Sequence, residues 1–240
     1  MLLFIRHIMD NERKPSHIAI IPDGNRRWGE LQGITKQEAY ATGIRKIGDI
    51  AKWCRDEGIH MLTMWGFSSE NFERDSAEIG GLFELFKKNL IDILTSNGKE
   101  KQQIRVRFLG RIGKFPKAVQ ELMKKVEQET AGNSEYQLNL LLSYGGRDEI
   151  IDAVKEIIQS GKKAEEIDEK TIAEHLYTRG LPDPDLIIRT SGELRLSGLM
   201  PWQTVYSELY FCKKLWPDFA KEDFLDALSD YAKRRRRFGK

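Results

Sequence analysis

Cysteine is nearly absent: Cys54 and Cys212 are the only two thiols in 240 residues. That excludes a disulfide scaffold and predicts a reducing compartment with buried thiols. Proline is scarce too, at seven residues, and no Pro/Gly/Ser-rich linker or internal repeat divides the chain. A single domain over residues 1–240 is predicted, with 1–16 as an N-terminal extension and 233–240 as a basic tail. No apolar run approaches the roughly 20 residues of a membrane span. The first five residues are apolar, but Arg6 follows, too early for a signal segment. The predicted location is the cytoplasm. The chain also lacks a Walker A sequence, a G-x-G-x-x-G, an H-E-x-x-H and a C-x-x-C. The usual nucleotide modes and a zinc centre are therefore disfavoured, and the four histidines are scattered. Ser191 stands in T-S-G-E rather than G-x-S-x-G, which gives no support for a hydrolase nucleophile.

What remains is an ordinary globular composition, 40% hydrophobic and 32% charged, with a net charge of +2. The charge is uneven. Residues 233–240 hold six cations and no carboxylate; without them, 33 basic residues face 37 acidic ones, leaving the body at −4. Such a tail could meet nucleic acid or anionic lipid, but composition favours a solvated helix end whose cations face the negative pole of the dipole.

Short β-rich runs alternate with longer helical ones. Strands are predicted at 17–21, 59–67, 104–109, 138–142, 185–188 and 205–211. A helix follows the Thr35-to-Glu38 capping-box spacing and stops at Gly58. Further helices are expected over 79–94, 116–131, 146–160 and 171–177 and at the end of the chain, while Pro22-Asp23-Gly24-Asn25 reads as a turn. This order predicts an α/β domain with a central, mostly parallel sheet flanked by helices.

In such sheets, ligands bind beyond the carboxyl ends of the strands. Those ends carry Asp23-Gly24-Asn25-Arg26-Arg27, then Ser68 to Asn71 with Arg74, then Gly145-Gly146-Arg147, then Arg189 to Glu193 with Arg195 and Ser197. Arginines beside glycines suit phosphate, and helix amino termini add open N–H donors. The carboxylates Asp23 and Glu208 suit a hard divalent cation among phosphate oxygens. The combination points to a diphosphate–Mg²⁺ site.

Five blocks carry a more specific signal: HIAIIPDGNRRW (17–28), LTMWGFSSENFER (62–74), SYGGR (143–147), DLIIRTSGELRLSGLMPWQ (185–203) and YSELYF with LWPDF (206–219). In this order they resemble the cis-prenyltransferase, or undecaprenyl diphosphate synthase, family. The Arg26-Arg27 and Thr190-Ser191 pairs look archaeal or eukaryotic. The resemblance implies Mg²⁺-dependent condensation of isopentenyl diphosphate with an allylic prenyl diphosphate, in a homodimer of the same α/β fold. It assigns Asp23 and Glu208 to the metal, and Asp23, Asn25 and Asn71 to catalysis. Gly24, Arg26, Arg27, Trp28, Lys36, Tyr40, Ser68 and Arg74 fall to the allylic substrate and its surroundings. Arg189, Arg195 and Ser197 fall to isopentenyl diphosphate, with Arg237 and Gly239 reaching the partner subunit's site. That role for the tail displaces nucleic acid as its partner; transient contact with a membrane surface is compatible with a lipid product. The apolar stripe of Leu82, Leu85 and Phe86 is a candidate tunnel lining, or ordinary core.

Three departures from the family pattern stand out. Lys36 replaces an arginine and so lacks the bidentate fork. Ala39-Tyr40 replaces Gly-His, and a phenol does not shuttle protons near neutral pH as imidazole does. Leu141-Leu142-Ser143 replaces small residues and an asparagine before Tyr144. These changes leave two alternatives: short-chain or non-head-to-tail condensation, and a non-catalytic partner subunit.

Overall fold

The computed structural model describes residues 13–96 and 103–234. Its centre is a six-stranded sheet of β1 (His17–Ile21), β2 (Met61–Ser68), β3 (Ile104–Leu109), β4 (Tyr136–Tyr144), β5 (Leu186–Arg189) and β6 (Glu208–Phe211). The order is β3-β4-β2-β1-β5-β6, and every pairing is parallel. The α/β architecture read from the sequence is the one observed. Around the sheet lie α1 (Asn25–Gln32), α2 (Lys36–Asp56), α3 (Ser76–Thr95), α4 (Lys117–Thr130), α5 (Gly146–Gln159), α6 (Glu169–His175) and α7 (Lys221–Lys233).

Strand parity sorts the core into two layers. Ile18 and Ile20 of β1, Leu62 and Met64 of β2, and Leu186 and Ile188 of β5 face α2 and α7, where Ile50, Cys54, Phe224 and Leu228 complete the cluster. The same face continues under α3 and α4 through Phe67, Leu142, Val106 and Phe108. Ala19, Ile21, Leu141 and Ile187 point the other way, onto Tyr144, Leu199 and Met200. That second layer holds a polar ladder. His17 Nδ1 bonds the Pro182 carbonyl and Nε2 bonds Thr63 Oγ1, both at 2.8 Å. Asn139 donates to the same Thr63 oxygen at 3.0 Å. Burial drives His17 down to about 4, so it is a neutral structural histidine.

The capping box at Thr35 forms as read, with Glu38 accepting from the Thr35 backbone at 2.9 Å and the Thr35 hydroxyl accepting from Glu38 N at 3.2 Å. Two local expectations change. The segment after Asp23 turns directly into α1, where a plain turn was expected. Its sequence, NRRWGELQ, buries only Gly29, so no apolar period announces it. The last strand is shorter than 205–211, because residues 201–206 form turns before Glu208.

One topological fact positions everything that follows. The chain leaves β1 toward β2 on one side, while β5 pairs on the other. The crevice between the carboxyl ends of β1 and β5 is therefore a switch point, where such sheets receive ligands.

Candidate functional site

Asp23 sits two residues past the end of β1, at that crevice. Its N–H bonds Ile21 O at 2.9 Å, and its carbonyl accepts from Thr190 Oγ1 at 2.7 Å and Trp216 N at 3.0 Å. Its carboxylate Oδ2 takes Arg189 Nη2 at 2.8 Å, and Oδ1 lies 3.4 Å from Arg27 Nη2. Burial alone would raise the Asp23 pKa; the hydrogen bond from Arg189, with the Arg189 and Arg27 charges, outweighs it and lowers the value. Asp23 is thus a carboxylate at neutral pH.

Arg189 ends β5 and is only 4% exposed. Its Nη1 donates to the Arg195 carbonyl at 2.6 Å and to Ser197 Oγ at 2.8 Å, while its Nε is buried with no protein partner. A buried guanidinium with a donor to spare is an anion receptor. The loop supplying these contacts carries left-handed Ser191 (φ 79°), Ser197 (φ 51°) and Met200 (φ 45°). Gly146 backs it, donating its N–H to Gly198 O at 3.0 Å; a Cβ there would collide with the Pro201 ring. Outside Arg189, Arg27 reaches Glu193 at 3.5 Å and Glu193 holds Arg195 at 2.5 Å.

Gly24 caps α1 at φ 108° without any side-chain cap. A Cβ at Gly24 would lie 2.8 Å from Leu215, so glycine is required twice over. The first N–H groups of α1 are left for a ligand. Asn25 donates to Pro22 O at 3.2 Å, and its Oδ1 is buried without a partner above Gly43. Trp28 is spent differently: its indole donates to Asp218 at 2.8 Å, strapping α1 to the turn at 216–218.

A second cationic group lies after β2. Asn71 accepts from Ser68 N at 3.1 Å and closes the short turn that presents Arg74. Arg74 donates to the Tyr40 hydroxyl at 3.1 Å, and Tyr40 donates to Glu78 at 2.7 Å. Lys36 pairs with the other Glu78 oxygen at 2.8 Å. Burial raises Glu78; contacts from Lys36 and Tyr40 and the charges of Arg26 and Arg74 outweigh it and lower its pKa. Glu78 was not among the residues singled out from sequence, and Glu193, placed on the rim there, pairs with Arg27 and Arg195 while Arg189 pairs with Asp23. Tertiary structure brings Lys36 to Glu78 and Arg27 to Glu193, while Arg74 and Arg195 are sequence neighbours of the carboxylates they meet.

Both groups open onto one cavity of about 720 Å³. Its polar end is lined by Asp23, Asn25, Ser68, Asn71, Arg74, Arg189 and Ser197. Its apolar body runs between α2 and α3, lined by Ile47, Leu82, Phe86, Leu90, Leu140 and Leu142. Leu82 and Phe86 take the lining position expected of them. Leu85 is not part of the wall, and Leu141 faces the opposite layer. A cradle for an anionic head thus joins a slot for an apolar chain.

Among the described residues, no three His, Cys, Asp or Glu side chains gather into a metal cluster. Glu208, expected beside Asp23, opens β6 at its amino end, opposite Leu186, and pairs with Arg234 at 3.0 Å. The carboxyl end of β6 instead meets Arg189, so one subunit does not bring Glu208 to Asp23. Asp23 alone still fits Mg²⁺: Oδ1 has only the long Arg27 contact, and Mg²⁺ commonly binds one protein carboxylate plus substrate phosphates. Arg237 and Gly239 lie outside the described residues.

The family model for undecaprenyl diphosphate synthase, a prenyltransferase family, matches residues 21–239. A tritrans,polycis-undecaprenyl-diphosphate synthase (geranylgeranyl-diphosphate specific) of Methanocaldococcus jannaschii is 44% identical, over 98% of this chain and 86% of its own. An isoprenyl transferase of Thermus thermophilus is 42% identical, over 94% of this chain and 89% of its own. Among solved structures, lavandulyl diphosphate synthase from Lavandula x intermedia, in complex with dimethylallyl diphosphate, superposes with a TM-score of 0.87 at 34% identity. That match covers 95% of this chain and 99% of the other.

Proposed function

The chain belongs to the undecaprenyl diphosphate synthase family of prenyltransferases, and on that premise we propose that it condenses isopentenyl diphosphate with an allylic prenyl diphosphate. The observation that carries this reading is the continuity of the cavity, from the Asp23–Arg189 cradle into the apolar slot between α2 and α3. A prenyl diphosphate has the same two-part chemistry.

In this reading the α1 N–H groups, Asn25, Arg26, Arg27 and Arg74 receive the allylic diphosphate. Arg189, Arg195 and Ser197 receive isopentenyl diphosphate. As the allylic carbon–oxygen bond breaks, negative charge gathers on the departing diphosphate and positive charge on the allylic carbon. Fixed donors aimed at that anion lower the barrier because they need no reorganisation. The slot orients the chain and keeps water from the cationic carbon. Asp23 would hold Mg²⁺ against the diphosphate oxygens, and the ion would supply charge neutralisation of the leaving group.

The assembly proposed is a homodimer in the cytoplasm that meets a membrane surface only to hand over product. No helix among the described residues is long and apolar enough to cross a membrane. Exposed Leu194, Val205 and Tyr206 offer apolar surface for a second copy. Nucleic acid has no place in this scheme.

The test is purified protein with Mg²⁺, labelled isopentenyl diphosphate and a panel of allylic diphosphates, sizing the products and using Asp23→Ala as control. Isopentenyl-extended products abolished by Asp23→Ala support the proposal and give primer and length together. Coupling of allylic substrates without isopentenyl incorporation favours non-head-to-tail condensation, a reading for which Lys36 and Tyr40 are the motive. Absence of turnover favours a non-catalytic subunit.

A further inference from the structure

Tyr40 stands between the two anionic demands on Arg74: the carboxylate of Glu78 on one side and the cavity mouth on the other. Its phenol has one proton. That proton goes to Glu78 Oε1 at 2.7 Å, which leaves the oxygen lone pairs to accept Arg74 Nη1 at 3.1 Å. The Arg74 guanidinium carbon also lies 6.0 Å over the Tyr40 ring. The ring itself is seated in the apolar cluster with Phe67 and Leu142, so the hydroxyl is held in place. Arg74 Nη1 already pairs with Glu78 Oε1, but at 3.4 Å against the 2.8 Å of Lys36, with the phenol oxygen in contact with both partners. Glu78 is 7% exposed on its side chain and already takes Lys36 at 2.8 Å. A carboxylate so placed would draw Arg74 in closer if the hydroxyl were absent.

We infer that Tyr40 is a positioning residue, whose hydroxyl keeps Arg74 from closing fully on Glu78 and holds it at the cavity for the allylic diphosphate, and that it carries no proton in the reaction. This rests on the function proposed above. The charged groups around the phenol are Arg26 of α1, Lys36 of α2, Arg74 at the end of the turn after β2, and Glu78 of α3. Burial first, then Glu78, pushes the phenol up to about 12, well outside the working range of an acid–base group at neutral pH.

Tyr40→Phe removes the hydroxyl and keeps the ring. Arg74 should then close on Glu78, and the KM for allylic diphosphate should rise about ten-fold, the scale of one hydrogen bond to a charged group. The kcat and the KM for isopentenyl diphosphate should stay within about three-fold. Adding Glu78→Gln in the Phe background weakens the capture and should bring the allylic KM back to within about three-fold of wild type. A ring that merely fills space would give no such recovery. The ratio of allylic KM values, Phe over Tyr, should be constant from pH 6 to 9. An unchanged allylic KM in Tyr40→Phe overturns the inference. So does a kcat loss of 100-fold with KM intact, or the absence of recovery in the double variant. Calorimetric binding of a non-reacting allylic thiolodiphosphate by the wild type and Tyr40→Phe gives the same comparison without turnover. A wild type that binds this probe ten-fold tighter than Tyr40→Phe but makes no product would sink the proposed function and uphold the role of Tyr40. Equal binding overturns that role.

Discussion

Replacing Asp23 by asparagine tests the centre of the site in two independent ways. The change keeps shape and one acceptor but removes the negative charge 2.8 Å from Arg189, a guanidinium only 4% exposed. Breaking a fully buried pair costs about 3–5 kcal/mol. Here the carboxylate side chain is 30% exposed and the amide oxygen still accepts a hydrogen bond, so about 1–2 kcal/mol is the reasonable loss. For a domain of this size that lowers the unfolding midpoint by about 3–6 °C. Catalysis should fall much further, by about 10²–10³-fold, the scale for removing one preorganised electrostatic group. The pH dependence has a definite sign. The folded pKa of Asp23 lies below the unfolded value of 3.8, so the carboxylate stabilises the fold above 3.8 and that contribution fades as pH falls through the lower folded value. Urea unfolding of both proteins from pH 7 to 3 should therefore show a gap that is full down to about pH 4 and then narrows. Steady-state prenyl transfer on the same samples gives the rate. An asparagine variant within ten-fold of wild-type activity, or a stability gap that widens on acidification, would refute the reasoning.

Other perturbations read other parts of the molecule. Gly146→Ala pushes a methyl into the Pro201 ring behind the Ser197 loop; its KM for isopentenyl diphosphate should rise while its midpoint drops, at about 1–3 kcal/mol for overpacking, and an unaltered KM would dissociate that loop from the substrate. Phe86→Ala opens the wall of the slot, and chromatography of the products should show longer chains; the same length distribution would mean Phe86 does not limit the chain. His17, held near 4 in the fold against 6.5 unfolded, is neutral in the native state. It should cost the wild type on the order of 2–3 kcal/mol of stability as pH falls from about 6.5 toward 4, a slope that His17→Gln should flatten in urea titrations.

The strands were legible because most are apolar runs bounded by turn residues, with β3 alternating apolar and arginine, and their carboxyl ends named most of the rim before any coordinates. The Thr35-to-Glu38 cap was legible because both halves of it are local. What escaped depended on the third dimension. The first helix is polar nearly throughout and capped by a glycine, so neither periodicity nor a capping side chain marks it. Leu141 and Leu142 look alike in the sequence, yet strand parity sends one to each layer. Glu78 and Glu193 each gain a cation from a distant segment, Lys36 and Arg27, that no local spacing announces. Glu208 was carried to the metal by motif alone, whereas parallel register sets it at the far end of β6.

The slot between α2 and α3 has a further consequence. It is walled by the same leucines and phenylalanines that make up the neighbouring core, so the chain bound there finishes a layer the polypeptide leaves incomplete. Each isoprene unit adds several methylene equivalents, at about 0.8 kcal/mol apiece when removed from water. The enzyme should therefore grow harder to melt as its product lengthens, by mass action on the native state. The same gain slows departure of the chain, so tight packing and prompt release pull against each other. On the proposed function, a growing lipid would serve this fold as temporary interior.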